Sequence, residues 1–299
     1  MLKDIRKLSS ISFILCLVGS LFIVQGALSQ QQKNFLWRVQ SKTSTVFILG
    51  SVHFLKQENY PLNPRIDRAF DQSTVLVVEA NISDPGKLNP QKLLESALYP
   101  ENDNLERHVS TDTYDYVKRE TGNLGLPFEL VNKQKPWFLA LTLEALELMK
   151  LGFDPRYGVD IYFLSKAQGT KKILELESLD EQIDLLSNFS DREQEYFLLY
   201  TLKDLHVLGE QASTLVKAWS SGNTGEIESV FTKSVKEDGR LAPIFEKLID
   251  NRNRKMISKI EGYLNTDGTY FVVVGAGHLV GNKGIIEILK SKGYTVEQL

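Results

Sequence analysis

Three short runs of apolar, mostly β-branched residues stand out from the mixed pattern of the chain, and a side chain able to bind a metal or transfer a proton follows each of them. Runs of this length and composition are typical of buried strands. The runs and their followers are Val46–Leu49 with His53, Val75–Val78 with Glu79, and Tyr270–Val274 with His278. Because ligands bind at the carboxyl ends of strands in open α/β sheets, we expect these three side chains to converge.

The first and third runs share a second feature, which is a glycine three residues before the histidine. The segment Gly50-Ser51-Val52-His53 has a counterpart near the other end of the chain, Gly275-Ala276-Gly277-His278. A glycine at a strand end lets the backbone turn sharply and approach a ligand closely. The two motifs therefore predict one site that forms only when both ends of the chain fold together.

The remaining pattern is largely helical, with a few further strands. A hairpin is predicted from Phe35–Val39 and Val46–Leu49, and additional strands from Lys172–Glu177 and Gly293–Val296. From Ser178 to about Ile249 the apolar spacing is helical throughout.

In that helical region we predict one long helix over Asp191–Trp219, preceded by a capping box of Ser190 and Glu193. The fold class that follows is α/β, with a mainly parallel mixed sheet flanked by helices. Its core takes up about residues 30–180 and 250–299, and a helical insertion takes up about residues 181–249.

Residues 1–29 have the pattern of a secretory signal peptide, with basic residues near the start, the apolar run Ile11–Val24 and the small residues of Ala27-Leu28-Ser29. An uncleaved anchor is the alternative, although the run is short for a span of ~20 residues. We therefore expect an exported protein, periplasmic or extracellular, that meets the membrane only through this segment before cleavage. The only cysteine, Cys16, lies within it, so residues 30–299 offer no disulfide, thiolate nucleophile or cysteine zinc site.

Composition and net charge limit the classes of molecule that the protein is expected to bind. The 299 residues include 42% hydrophobic and 24% charged residues, which is ordinary for a globular protein, and the net charge is -3. The charge is slightly negative and the sequence has no stretch of interleaved basic and aromatic residues, so we expect no binding to nucleic acid.

Two imidazoles and a carboxylate are the usual donors for a divalent metal with open coordination positions. We therefore expect His53 and His278 to be metal ligands and Glu79 to be a ligand or the general base. A single strand-end histidine is often structural, but two in matching contexts with Glu79 favour a site. Phosphate binding is an alternative function for the glycine-rich turn Gly275–Gly281, although this turn lacks the lysine and the Ser/Thr of a Walker loop.

Other polar residues are weaker candidates. Arg252, at a predicted helix start, is expected to stabilise substrate or oxyanion charge, with a solvated surface residue as the alternative. Glu175 and Glu177 are expected to form salt bridges, and Asp160 to be an ordinary first-turn residue of a helix. The two other histidines are expected to be exposed at His108 and packed within the long helix at His206. No Gly-x-Ser-x-Gly elbow is present, which disfavours an ordinary serine hydrolase.

Seven motifs spread over nearly all of residues 30–299 resemble those of the TraB/GumN family. They are Leu36-Trp37-Arg38-Val39, Gly50-Ser51-Val52-His53, Val78-Glu79, Gly158-x-Asp160, Leu176-Glu177, Asn251-Arg252-Asn253 and Gly275-Ala276-Gly277-His278-Leu279. The family includes the Tiki metalloproteases of animals and the TraB pheromone-shutdown proteins of bacteria. The resemblance implies metal or catalytic positions at His53, Glu79 and His278, a further basic position at Arg252, and peptidase activity with Mn²⁺ or Co²⁺, Zn²⁺ being an alternative.

The leading hypothesis is therefore a secreted or periplasmic metal-dependent hydrolase, most simply a peptidase, whose partner is a peptide or protein substrate. A non-catalytic envelope protein that sequesters a peptide or another ligand is the main alternative. An open coordination position would favour the enzyme, and a closed one the binder. A third alternative, an accessory role in envelope polysaccharide export, is suggested by the GumN name alone.

Overall fold

A computed structural model describes residues 33–299, which form a six-stranded sheet with helices packed on it. The signal segment predicted at residues 1–29 lies outside the described residues. In sheet order the strands are β4 (Lys172–Glu175), β3 (Val75–Val78), β5 (Thr269–Gly275), β2 (Thr45–Ser51), β1 (Leu36–Gln40) and β6 (Thr295–Gln298). The first four are parallel to one another, and β1 pairs antiparallel with both β2 and β6, so the predicted mainly parallel mixed sheet is confirmed.

The strand β5 lies at the centre, between β3 and β2. It pairs Gly275 with Ser51 on one side and Val273 with Val78 on the other. The buried side chains of these strands, such as Ile48, come from the apolar runs that predicted them. The carboxyl ends of the three strands therefore meet at one edge of the sheet, as the sequence predicts.

Helices connect the strands and supply the rest of the core. Their bounds are α1 Pro64–Gln72, α2 Pro90–Ala97, α3 Thr111–Asn123, α4 Phe128–Val131, α5 Pro136–Lys150, α6 Val159–Ala167, α7 Leu179–Ser187, α8 Asp191–Asp204, α9 Leu208–Ser220, α10 Thr224–Glu237, α11 Ala242–Phe245, α12 Asn251–Leu264 and α13 Ile285–Ser291. In the main core, Phe70 of α1 and Phe163 of α6 pack on Phe271 of β5, with ring centroids 5.5 and 4.8 Å from that of Phe271. None of the helices between residues 33 and 299 combines the length and the apolar character needed to cross a bilayer.

The single helix predicted over Asp191–Trp219 is wrong, because the structure breaks it between α8 and α9. Leu198 and Leu202 of α8 pack into a second hydrophobic cluster with α3, α4 and α5, whereas Val216 and Trp219 of α9 pack into the main core. The chain has to change direction to serve both clusters, and tertiary packing overrides the continuous helical pattern.

The helix that carries Arg252 begins earlier than the sequence indicates. The chain is helical without interruption from Ala242 to Leu264, and its turn at Glu246–Asp250 is a π-helix. Such turns often mark functional positions because they shift the helix face by an extra residue. This one ends two residues before Arg252, at the carboxyl edge of the sheet.

Candidate functional site

The buried histidine of the site is His278, which lies on a short 3₁₀ turn directly after β5 and is 3% exposed. Its Nδ1 is 2.7 Å from Oδ1 of Asn253, and the amide nitrogen of Asn253 donates to the carbonyl of Lys283. The second bond fixes which end of the amide faces the ring. Because an amide oxygen only accepts, Nδ1 of His278 carries the proton and Nε2 keeps its lone pair.

The carboxylate of Glu79 lies next to that free nitrogen. Its Oε1 is 3.7 Å from Nε2 of His278 and accepts the backbone N–H of Gly275. Its Oε2 accepts from Arg252 at 2.6 Å. Burial alone would raise the pKa of Glu79, but the neighbouring His278, Arg252 and His53, with the Gly275 N–H, lower it to about 2. The Gly275 N–H thus serves Glu79, which leaves it unavailable to the phosphate predicted as an alternative.

Arg252 joins two strand ends. Its Nε donates to both oxygens of Glu177, at 2.9 and 3.1 Å, and one terminal nitrogen donates to Glu79. The other terminal nitrogen donates to the carbonyl of Leu248. The three charged side chains are each at least 85% buried. Glu177 therefore forms the salt bridge expected of it, and Glu175 forms one with Lys87 at 2.7 Å.

The other motif histidine, His53, has a different environment, with 62% of its side chain exposed. Its Nδ1 is 3.1 Å from both oxygens of Asp160, in the first turn of α6. The Asp160 charge is the main cause that raises the pKa of His53 to about 9. Gly158 makes this contact feasible, because a Cβ there would lie 2.5 Å from the carbonyl oxygen of His53.

These groups surround a cleft of about 320 Å³. His53, Glu79, Asp160 and Arg252 line its polar side, and His278 lies behind Glu79. Most of the other lining residues are apolar, namely Ile82, Leu141, Leu185, Leu186, Phe197, Leu248, Val78 and Val273. The arrangement suits a substrate that has an apolar side chain next to a polar reacting group.

The donor set of the site has the residue types that bind a divalent metal. Both imidazoles have Nδ1 held by an oxygen, which is how metal-binding histidines are usually oriented toward an ion at Nε2. Two atoms bound to one ion at about 2.1 Å lie roughly 3–4 Å apart, and the 3.7 Å between Glu79 Oε1 and His278 Nε2 falls in that range. Within residues 33–299, no group of three or more His, Cys, Asp or Glu side chains is already arranged to hold a metal ion. The residue types fit the ion, and Glu79 and His278 have the spacing of two ligands of one ion.

Sequence reasoning missed the residues that contact the motif histidines and Glu79. Asp160 was expected to be an ordinary first-turn residue, and Asn253 and Gln182 were given no role, although Gln182 lies 3.4 Å from Glu79. The signals were the spacing Gly158-x-Asp160 and the position of Asn253 beside Arg252.

The expectations for the two other histidines are wrong. His108 is half-buried, stacked on Tyr99 at 4.4 Å with its Nε2 2.8 Å from Asp103. His206 lies in the break between α8 and α9, with 65% of its side chain exposed, instead of packing within a helix.

Comparison with known proteins gives the family of the chain. Residues 35–298 match the model of the TraB/PrgY/gumN family. The chain is 25% identical to the uncharacterized protein YbaP of Escherichia coli, over 81% of this chain and 87% of YbaP. It is 22% identical to the metalloprotease TIKI2 of Danio rerio and 21% identical to the metalloprotease TIKI1 of Xenopus tropicalis, over 90% and 89% of this chain. It spans 62% and 61% of those two proteins, and no solved structure matches it. The family model covers nearly all of the described residues, and the chain therefore belongs to the TraB/PrgY/gumN family.

Proposed function

We propose that this protein is an exported, metal-dependent hydrolase that cleaves peptides, with His53, His278 and Glu79 as the residues that hold the ion. The observation that carries the proposal is the matched anchoring of the two motif histidines. Each Nδ1 is held by an oxygen of a residue from another element, Asp160 or Asn253, and within residues 33–299 neither Nε2 has a hydrogen-bond partner. The metalloprotease relatives support the same class of activity.

A divalent ion held here would act as a Lewis acid on a substrate carbonyl and on water. The side chains of the protein prepare the site for it. Asp160 and Asn253 orient the two rings, and Gly275 and Arg252 fix the Glu79 carboxylate from two directions. We assign Arg252 to this positioning of Glu79, ahead of the predicted contact with an oxyanion, because each of its three guanidinium nitrogens already donates to a protein acceptor.

The nitrogen-rich donor set favours Mn²⁺, Co²⁺ or Zn²⁺ over Mg²⁺, which prefers oxygen ligands. Chelator should therefore abolish cleavage of a pooled peptide library by the purified protein, and Mn²⁺ or Co²⁺ should restore it better than Mg²⁺. Metal content measured by mass spectrometry should fall in His53→Ala and His278→Ala. His206→Ala, which removes an exposed histidine away from the cleft, is the matched control and should keep both metal and activity.

Glu79→Gln separates the two roles predicted for Glu79. The substitution keeps the size and shape of the side chain and removes its charge. A variant that loses metal identifies Glu79 as a ligand, and one that keeps metal but loses cleavage identifies it as the base. Sequestration of a peptide would replace the enzyme proposal if the metal-loaded protein cleaved nothing, retained particular peptides, and did so equally well in the histidine variants.

A further inference from the structure

A second groove adjoins the site cleft at Arg252. It has a volume of about 520 Å³, and Arg252 and Leu185 line both spaces. Its other lining residues are Glu177, Glu181, Lys247, Asn251, Arg254 and Lys255. We call it the basic groove because four of its eight lining residues are cationic. The net charge of the chain is -3, so this positive character is a local feature.

Most of the charges in the basic groove are already satisfied by the protein. Arg252 is bound to Glu177, and Lys247 lies 2.6 Å from Glu193. Glu181 accepts the backbone N–H of Ser178 at 2.7 Å as part of the capping box of α7, and this bond is the main cause that lowers its pKa.

Arg254 and Lys255 are different. Arg254 donates to Oδ1 of Asn251, its nearest carboxylate is that of Glu246 at 3.9 Å, and 60% of its side chain is exposed. Lys255 is exposed and takes part in no ion pair among residues 33–299. These two adjacent cations are thus the ones that remain available to a ligand in the basic groove.

We propose that the basic groove binds a carboxylate of the substrate while an apolar side chain of the same substrate occupies the site cleft. This inference rests on the proposed function and names the class of peptide that the site prefers. The two spaces share Arg252 and Leu185 as a common wall, so one extended ligand can occupy both. Glu177 and Glu181 also line the basic groove, which favours a singly charged carboxylate over a doubly charged phosphate.

The test uses three fluorescent peptides of one apolar sequence. The first ends in a free carboxylate, the second in a carboxamide, and the third in a carboxamide with one internal residue replaced by aspartate. Cleavage kinetics and equilibrium binding by fluorescence anisotropy are measured in parallel with the full protein. We expect a carboxylate to lower KM and Kd about tenfold with little change in kcat, since two solvent-exposed ion pairs supply an effect of this order.

Arg254→Gln combined with Lys255→Gln should remove this preference, and added salt should weaken it in the wild type. Lys236→Gln, on the exposed side of α10 and outside both spaces, is the matched control and should leave the preference intact. Preference for the first peptide identifies the terminal carboxylate as the ligand, and preference for the third identifies an acidic side chain.

The outcomes also separate this inference from the proposed function. Cleavage of all three peptides with equal KM and Kd refutes the basic groove and leaves the hydrolase intact. Tighter binding of a carboxylate peptide that depends on Arg254 and Lys255, without any cleavage, supports the groove and refutes the hydrolase. An equal loss of preference in Lys236→Gln would overturn the inference, because the effect would then come from overall charge.

Discussion

Arg252→Gln should be far more destabilising than its position on a polar helix suggests. The guanidinium is 15% exposed and is shared by Glu79 and Glu177, which are 14% and 7% exposed. Removing one partner of a buried ion pair leaves an uncompensated charge and costs about 3–5 kcal/mol. Here one substitution leaves two such carboxylates, so we expect a loss in that range. A typical domain has only about 5–15 kcal/mol in total, and the variant should fold with greatly reduced stability.

Urea unfolding at neutral pH, followed by circular dichroism, measures this loss. Arg254→Gln is the matched control, because that side chain is 60% exposed and its substitution should change the unfolding free energy by no more than about 0.5 kcal/mol. Adding Glu177→Gln to Arg252→Gln should recover part of the loss by removing one of the two stranded charges. A loss below about 1 kcal/mol, or no recovery in the double variant, would show that the buried cluster does not need its cation.

Two further predictions concern the surroundings of His53. Burial and the charge of Asp204 raise the pKa of Glu144, and His53 opposes them, so the folded state binds a proton at Glu144 more readily than the unfolded state does. Stability therefore falls as the pH rises from 4.5, the ordinary pKa of this carboxyl group, through its raised pKa in the folded state. Glu144→Gln should therefore stabilise the protein at neutral pH but not at pH below 4.5, and thermal melts at both pH values measure this. Gly158→Ala should displace His53, because the new methyl group would lie 2.5 Å from the carbonyl oxygen of His53. Overpacking alone costs ~1–3 kcal/mol of stability, and activity assays should show a larger loss than this cost explains. A melting curve for Glu144→Gln that matches the wild type at all pH values, or full activity in Gly158→Ala, would contradict these predictions.

The sheet could be predicted from the sequence because each central strand is a local run of apolar residues. Apart from the half-buried Val75 and Tyr270, the apolar runs at Val46–Leu49, Val75–Val78 and Tyr270–Val274 are buried, and such short runs favour adjacent parallel strands. The convergence of Glu79 and His278 then follows from the shared carboxyl edge. The helix break around His206 could not be predicted in the same way, because it depends on which of two hydrophobic clusters each half of the segment joins.

The two motif histidines show more clearly what the sequence pattern cannot predict. The Gly-x-x-His segments look alike in sequence, yet His278 is 3% exposed and the side chain of His53 is 62% exposed. His278 follows the central strand β5, and its ring is hydrogen-bonded to Asn253 of α12. The loop after β2 is instead fixed by contacts with Gly158 and Asp160, more than 100 residues along the chain. No local pattern specifies partners at that separation.

The position of β5 makes the completed site depend on this one strand. It is the only strand among those described that joins β2 to β3, so the two halves of the sheet meet only when residues 269–275 have inserted between them. The same insertion brings the Gly275 N–H to Glu79 and places His278 beside it. Without β5, the carboxylate of Glu79 would lack both of these neighbours while it kept its charge. Pairing of β5 with β3 and β2, whose partner residues are 195 and 224 positions away in the chain, carries a high loop-closure cost. Here the contacts that offset this cost include those that complete the candidate site.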